Sequence, residues 1–255
     1  MLQSCVNNLP ARPIAKPTNG AGPVDPVFGI DAPMDIHDSP PSALGNGLDA
    51  APIVDHILRQ PGVQKAPGAK LTLFLKREFL PPDLCATIIA RIDMVRRPST
   101  IADSNGDAAY RTSETGDLDP ADPAVIAVER ALAAFTGLSP EFGEPLQGQR
   151  YAVGQEFKGH TDYFEPGSAD YDRYCRTAGN RTWTVMVYLN EPTAGGATRF
   201  KAIDRIVQPE TGKLIAWNNR RPDMTLNPAT LHHGMKVRSG VKYVITKWYR
   251  ERPWG

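Results

Sequence analysis

The feature that most limits the possible folds is the second half of the chain, where short β-prone runs follow one another with only turn residues between them. We predict strands over residues 147–153, 157–163, 181–189, 197–201, 212–217, 230–237 and 241–249. Parallel strands need crossover connections, usually helical, and these gaps hold no long helix. The sequence therefore predicts a mainly β fold with flanking helices, whose core is a double-stranded β-helix, or cupin-like jelly roll.

Upstream of these strands, the sequence predicts one more strand, over residues 70–75, and two helices. The first helix stops before Arg97, because this residue precedes a proline and so avoids helical backbone. The second has Asp122 as its cap, followed by a proline, and ends at Gly137. We expect both helices to cover one outer face of a sheet, and residues 99–120 to form a long mobile loop.

Residues 1–66 differ from the rest, because they carry many of the 24 prolines and few large apolar residues. Such a segment cannot bury enough surface to offset the entropy lost on ordering. We predict a proline-rich N-terminal arm over 1–66, extended or disordered, and a main domain over 67–255. The exception is 51–59, where apolar residues at helical spacing predict a short helix that could dock onto the domain.

Charge and cysteine usage disfavour several classes of protein. With a formal net charge of +1, the chain has no global field that would recruit nucleic acid or an anionic membrane. No apolar run approaches the roughly 20 residues of a membrane span. Cys5, Cys85 and Cys175 are too few and too widely spaced for a disulfide framework. These observations predict a soluble protein of the reducing cytoplasm.

A histidine and an aspartate stand two residues apart at His160 and Asp162. On a strand, both side chains project to the same face and can bind one metal ion from one side. Residues 231–234 offer a third ligand, but His232 and His233 are adjacent and face opposite sides, so spacing alone cannot choose between them. Two histidines and one carboxylate with open coordination positions form the facial triad of non-haem Fe(II) oxygenases.

Lys242 follows the distal histidines inside a β-prone run of apolar residues. An unpaired ammonium would be costly to bury there. A carboxylate partner removes that cost, and 2-oxoglutarate supplies one. The sequence therefore predicts that Lys242 holds the far carboxylate of this cosubstrate.

Further motifs stand in a fixed order along residues 70–252. They are the runs 144–147 with Tyr151, 160–164, Arg181 with 188–190, 195–200, 231–234, 240–243 and 246–248. In this combination the chain resembles the prolyl 4-hydroxylase branch of the Fe(II)/2-oxoglutarate-dependent dioxygenases. The resemblance assigns the distal ligand to His232. It also implies that Lys242 binds 2-oxoglutarate with help from the hydroxyls of Tyr151 and Thr198.

The resemblance implies where a substrate binds as well. Arg181 and Trp248 match positions that line a peptide groove in the family. Arg111 and Ser113 belong to a run that matches a loop closing over the substrate. Beyond the metal ligands, no side chain is expected to act in catalysis.

Four departures from the family pattern concern the neighbourhood of the site. Phe157 stands where many members carry a tyrosine, and Arg250 replaces a common histidine. Ala197 replaces a usual glutamate, and residues 235–236 replace a Cys-Pro pair. The first two fall on the expected peptide side, so they affect substrate identity and leave the reaction type unchanged.

The resemblance implies an Fe(II)- and 2-oxoglutarate-dependent hydroxylase that uses O2, releases succinate and CO2, and takes ascorbate as reductant. Its expected substrate is a prolyl residue of a peptide or protein, with no nucleic-acid or membrane partner. One alternative is hydroxylation of a free amino acid or other small metabolite on the same scaffold. A jelly-roll module that binds without turnover is a second alternative.

Overall fold

The computed structural model describes residues 44–99 and 110–254. Its helices are α1 (Ala50–Leu58), α2 (Pro82–Val95), α3 (Pro123–Thr136) and α4 (Ala169–Tyr174). Strands before the metal-site motif are β1 (Val63–Lys65), β2 (Leu73–Lys76), β3 (Arg97–Pro98), β4 (Glu114–Asp117) and β5 (Gln147–Tyr151). The later strands are β6 (Phe157–His160), β7 (Arg181–Tyr188), β8 (Ala194–Gly195), β9 (Thr198–Phe200), β10 (Arg205–Val207), β11 (Leu214–Asn218), β12 (His232–Gly234), β13 (Val237–Ser239) and β14 (Lys242–Arg250).

Two antiparallel sheets form the core. The larger has eight strands in the order β1-β2-β11-β7-β14-β5-β4-β3, and the smaller has four in the order β10-β9-β12-β6. Strands β8 and β13 pair separately. The predicted mainly β core with flanking helices is confirmed.

Strand β7 shows why the large sheet is buried on both faces. Val185 and Val187 belong to one apolar cluster, which also contains buried residues of α1, α2 and α3. Met186 and Tyr188 belong to a second cluster, which includes Phe200 of the small sheet. Alternate residues of a strand point to opposite faces, so helices cover one face of the large sheet and the small sheet covers the other.

The helix ends follow the predicted signals. Asp122 caps α3 by accepting a hydrogen bond from the Ala124 amide, and Gly137 ends it in the left-handed conformation at φ 69°. Helix α2 ends at Val95, before extended backbone at Arg97. It packs closely on β5, where a Cβ at Gly148 would overlap the side chain of Ile92. Within the described residues, no helix is long and apolar enough to cross a membrane.

The segment predicted as an arm is folded in its described part, residues 44–66. Helix α1 docks through Ile53 and Ile57, which are fully buried in the helix-side cluster. Strand β1 pairs with β2 at the edge of the large sheet. The helix and its docking agree with the prediction made from apolar spacing over 51–59. Strand β1 lies on the arm side of the predicted boundary at 66/67, because three residues of backbone pairing leave little trace in composition. Residues 1–43 lie outside the described residues.

Three element boundaries also differ from those predicted. The strand predicted over 157–163 ends at His160, and the one predicted over 230–237 is divided into β12 and β13, which pair in different sheets. The predicted loop 99–120 contains β4, a polar strand that pairs with β5, while its residues 100–109 lie outside the described part. Helix α4 was not predicted, because its six residues are too few to show a clear apolar period.

We expect Ile53→Ala to destabilise the protein by about 2–4 kcal/mol, because it leaves a cavity between α1 and the sheet. Leu58→Ala on the same helix is the matched control, since Leu58 is 45% exposed and should cost little. Urea unfolding of the two variants measures the difference. Equal stabilities would contradict the docking of α1.

Candidate metal centre and its two cavities

Three side chains, two from neighbouring strands and one from the turn after the first strand, meet between the sheets. His160 ends β6 and pairs across the ladder with His232, the first residue of β12. Asp162 follows β6 by two residues, and its Oδ1 lies 3.8 Å from Nε2 of His160. One potential ligand atom from each of the three residues lies within 4.8 Å of the other two. These distances suit donors arranged around a single metal ion.

The way in which Asp162 reaches the site differs from the prediction. His160 is the last residue of β6, so Asp162 lies in the turn after the strand rather than on the same strand face. Its Oδ2 accepts a hydrogen bond of 2.8 Å from the hydroxyl of Thr184. That hydroxyl in turn accepts one of 3.0 Å from the side-chain amide of Asn219. The large sheet therefore orients a carboxylate that belongs to a turn.

Backbone carbonyls orient both imidazoles. Nδ1 of His160 lies 2.8 Å from the carbonyl oxygen of Lys158, and Nδ1 of His232 lies 3.0 Å from that of Thr230. A proton on each Nδ1 donates to its carbonyl, which leaves each Nε2 with a free lone pair for a metal. Hydrogen bonds of this kind, from the ring to a backbone carbonyl, fix the tautomer of metal-binding histidines.

Burial keeps the two histidine ligands in the neutral state that a metal requires. It lowers the pKa of His160 well below the ordinary histidine value, and the neighbouring His232 lowers it further. Burial also lowers the pKa of His232. Neutral imidazoles and an ionised carboxylate are the forms that bind a divalent cation. The donor set therefore fits Fe(II), with coordination positions left for a cosubstrate.

The structure also decides between the two adjacent histidines. His233 points away from the triad, and its Nε2 lies 3.0 Å from the carboxylate of Glu156. His232 is 7% exposed and faces the triad. The position that the family resemblance implied for the distal ligand is the one that converges.

An inner cavity extends from the triad to Lys242. Lys242 is 2% exposed, and its Nζ lies 5.0 Å and 5.3 Å from the ring centres of Tyr151 and Tyr188. Among the described residues it forms no ion pair, and burial lowers its pKa to about 7. A dicarboxylate that reached this ammonium from the metal would supply the missing charge.

Tyr151 and Thr198, the other predicted cosubstrate residues, line the same cavity. The Tyr151 hydroxyl donates to Gln149 at 2.9 Å. The Thr198 hydroxyl accepts a 2.7 Å hydrogen bond from Tyr188. Both side chains therefore line the cavity that the triad shares with Lys242. Hydrogen bonds to Gln149 and Tyr188 fix the positions of their hydroxyls.

A larger groove of about 440 Å³ opens on the other side of the triad. Arg111, Arg181 and Trp248 line it. Ser113 does not: its buried hydroxyl accepts from Nε of Arg111 at 3.0 Å, so it supports that arginine from behind the groove wall.

Glu144 is a groove residue whose role the sequence did not reveal. Its carboxylate accepts hydrogen bonds of 2.6 and 2.8 Å from Arg181 and one of 2.6 Å from Arg250. Although burial alone would raise the pKa of Glu144, the two guanidinium groups hold it below its ordinary value. Such a pairing across residues far apart in the chain leaves no local sequence signal.

The two departures on the peptide side have clear positions. The Phe157 ring stacks on the imidazole of His160, with centroids 3.5 Å apart and planes 13° apart. Phe157 therefore covers the face of a metal ligand with an apolar ring that offers no hydroxyl. Arg250 is 1% exposed and lies beneath the groove on Glu144.

A two-histidine, one-carboxylate site with open positions, inside two facing antiparallel sheets, defines the class of non-haem Fe(II) oxygenases. Comparison with known proteins makes the class specific. Residues 146–250 match the model of the 2OG-Fe(II) oxygenase superfamily. Probable prolyl 4-hydroxylase 3 of Arabidopsis thaliana is 30% identical over 202 residues, which cover 69% of this chain and 68% of that protein. The chain belongs to this superfamily, and within it to its prolyl 4-hydroxylase-like members.

Other relatives agree. Prolyl 4-hydroxylase subunit alpha-2 of Caenorhabditis elegans is 34% identical over 149 residues, which cover 57% of this chain but only 27% of that protein. A viral collagen prolyl hydroxylase from Paramecium Bursaria Chlorella virus-1, solved with 2OG, has 25% identity and a TM-score of 0.56 over 70% of this chain and 94% of its own. A Pseudomonas putida prolyl-4-hydroxylase, 20% identical, shares the fold with a TM-score of 0.50 over 80% of this chain and 99% of its own. The resemblance predicted from the motifs is confirmed.

Asp162→Ala should lower Fe(II) affinity by about 100-fold or more, because it removes the only anionic ligand of the triad. Anaerobic equilibrium dialysis with Fe(II) measures this without any need for turnover. His233→Ala is the matched control and should bind iron normally. The assignment would be wrong if His233→Ala lost the metal instead.

Lys242→Met should stabilise the metal-free protein by about 1–3 kcal/mol at pH 7, because it removes a buried ammonium that has no ion-pair partner in the described part of the chain. Lys247→Met is the contrasting control: Lys247 is equally buried but donates to Glu129 at 2.7 Å, so its loss should destabilise. Urea unfolding measures both effects.

The stabilisation should also depend on pH. The pKa of Lys242 falls from 10.5 to about 7 on folding, so the cost of its charge is complete at and below pH 7. It disappears as pH rises toward 10.5. The advantage of Lys242→Met should therefore shrink above pH 7, and a constant advantage would contradict the unpaired ammonium.

Proposed function

We propose that this protein hydroxylates a prolyl residue of a peptide or protein, using Fe(II), 2-oxoglutarate and O2. The observation that carries the proposal is the spatial order of three features. Lys242 and the triad line the inner cavity, and His160 and Asp162 of the triad also line the groove that contains Arg181 and Trp248. Relatives named prolyl 4-hydroxylases support the choice of substrate. This chain covers 66% of one such plant relative and 27% of a nematode one, so the substrate is inferred from the shared part.

The residues divide the work between the two cavities. His160, Asp162 and His232 would hold the iron, and the carbonyls behind the imidazoles keep their Nε2 atoms directed at it. Lys242 would bind the far carboxylate of 2-oxoglutarate and so set its orientation. Together the iron, 2-oxoglutarate and O2 supply hydroxylation of a C–H bond, with release of succinate and CO2.

The groove side would position the peptide. The guanidinium carbon of Arg181 lies 3.9 Å from the ring centre of Trp248, and its Nη1 donates to the carbonyl of Asp162 at 3.2 Å. These two side chains therefore form a rigid polar and apolar edge beside the metal. A prolyl ring packed on the indole would bring its ring carbons toward the triad, which is the proximity that catalysis requires.

Arg111 favours a second candidate function, the hydroxylation of a small carboxylic acid. Its guanidinium lines the groove and donates to the neutral partners Ser113, Thr115 and Gln147. It forms no ion pair with residues 44–99 or 110–254, and burial lowers its pKa. A free amino acid or other small acid could supply a carboxylate there. A groove of about 440 Å³ falls within the range of small-molecule pockets, so its size does not separate the two candidates. The relatives named prolyl 4-hydroxylases favour the peptide.

We also infer a reducing compartment. The inference is supported by Cys85 and Cys175, which are both buried and free. Ascorbate is the proposed reductant for sustained turnover.

The test uses purified protein with Fe(II), 2-oxoglutarate and ascorbate, offered a panel of proline-rich peptides, free proline and small carboxylic acids. We expect succinate release coupled to a mass gain of one oxygen atom on a prolyl residue. Wild-type protein without substrate gives the uncoupled rate of succinate formation. Lys242→Met should raise the 2-oxoglutarate requirement steeply, since a charged buried contact is worth about 2–5 kcal/mol.

Each alternative has its own signature. Coupled turnover of free proline or an acid, with no peptide product, would replace the peptide by a small molecule. Iron and 2-oxoglutarate binding without succinate formation under any condition would indicate a binding module.

A further inference from the structure

We infer that Trp254 forms a second docking surface of the substrate groove, for a residue of a polyproline II segment near the hydroxylated proline, and that Arg250 holds it there. The inference rests on the proposed function, because it names a feature of the same substrate. It is carried by a stack of five planar groups, here called the ladder, and by the exposure of its last member. The ladder consists of Trp248, Arg181, Phe164, Arg250 and Trp254.

The ladder alternates aromatic rings and guanidinium groups. The carbon of the Arg181 guanidinium lies 3.9 Å from the Trp248 ring centre and 5.2 Å from that of Phe164. The carbon of the Arg250 guanidinium lies 5.4 Å from Phe164 and 5.1 Å from Trp254. These distances are within the range of cation–π contacts. All five side chains line the same groove.

The ladder leads outward from the reaction centre. Trp248 lines both the inner cavity and the groove, so it lies next to the metal site. Trp254 lines the groove but not the inner cavity. Each of its four steps, from 3.9 to 5.4 Å, is longer than the roughly 3.1 Å rise of one polyproline II residue. A peptide that ran along the ladder from a target proline at Trp248 would meet Trp254 with a residue several positions away.

Arg250 is built as a positioning residue. It is 1% exposed, and its Nε donates to Glu144 at 2.6 Å. Its Nη1 donates to the carbonyl oxygens of Gly179 at 2.7 Å and Tyr174 at 3.2 Å. One guanidinium thus joins the groove floor, the segment after α4 and the indole of Trp254. The histidine common at this position in the family could not make all of these contacts, because it has two ring nitrogens.

The backbone of the C-terminal segment is fixed as well. The Trp254 amide donates to the carbonyl of Glu141 at 2.8 Å. Two residues earlier, Arg252 donates to the carbonyls of Cys175, Arg176 and Thr177. The indole is therefore presented by a tethered segment, yet it remains 38% exposed.

The occupant follows from the chemistry of this surface. The neighbouring Tyr174 stacks on Phe164 with centroids 5.4 Å apart and is 36% exposed, so two aromatic side chains border this end of the groove. Rigid aromatic grooves bind proline-rich segments, because the preformed polyproline II conformation loses little entropy on binding. This end of the groove, at Tyr174 and Trp254, is continuous with the site of the target proline at Trp248. The ligand that we infer here is therefore the substrate chain itself.

The test compares a long peptide, with prolines on both sides of the target proline, and a short peptide that contains the target with one neighbour on each side. Trp254→Ala should raise KM for the long peptide about fivefold to tenfold and change kcat by less than about twofold, since it removes ground-state binding. KM for the short peptide should not change. Trp254→Phe should restore most of the long-peptide affinity.

The matched control is Ile206→Ala. Ile206 is also exposed, at 44%, but lies on β10 and does not line the groove, so both KM values should equal those of wild type. The role of Arg250 is tested by Arg250→Lys, which keeps the charge but loses the planar group. It should raise KM for the long peptide as Trp254→Ala does, and the double variant should show no further increase.

Two results would overturn the inference, and they are distinguishable. If wild type hydroxylates both peptides but Trp254→Ala has the same KM values, Trp254 binds no substrate and the proposed function stands. If wild type hydroxylates neither peptide while uncoupled succinate formation continues, the proposed function fails and the docking surface fails with it. An additive double variant would remove the positioning role of Arg250 and leave that of Trp254.

Discussion

The pairing of β6 with β12 is the constraint on which the function of this molecule depends. It places His160 opposite His232 in the strand pairing, so the register of the sheet determines where two of the three metal ligands stand. A shift of one residue in this register would turn either imidazole to the opposite face. Carbonyls of the same two segments then orient the rings. The sheet is therefore both the scaffold of the metal site and its outer coordination shell.

A single carboxylate has a comparable role on the substrate side. Glu144 accepts hydrogen bonds from Arg181 and Arg250, and the two guanidiniums order the aromatic rings of the groove between them. Removing Glu144 would leave two buried cations close together without their shared anion. Because of that cost, the contacts of Arg181 and Arg250 in the groove floor are coupled through Glu144 and are not independent of each other.

The sequence predicted the chemistry of the site better than its geometry. The convergence of the three triad residues and the burial of Lys242 were predicted, because these residue types in this order and apolar context have few other uses. The turn that carries Asp162 and the partner that holds Glu144 were not found, because both depend on contacts between distant parts of the chain. Docking of α1 was predicted from its apolar spacing, whereas the strand after it was missed, since three residues of edge pairing have little compositional signature.

The buried cations show which charges the fold completes and which it leaves for a ligand. Lys213 and Lys247 are as buried as Lys242, but each has a glutamate of this chain within reach, Glu210 and Glu129. Among residues 44–99 and 110–254, Lys242 contacts tyrosine rings and no carboxylate, and burial lowers its pKa. Folding therefore buries the ammonium of Lys242 in the inner cavity without a carboxylate from the described residues, which lowers the free energy of unfolding. A protein under selection for stability alone would remove such a cost by one substitution. The position of this ammonium in one cavity with the three metal ligands is the physical argument that the cavity is shaped for a dicarboxylate.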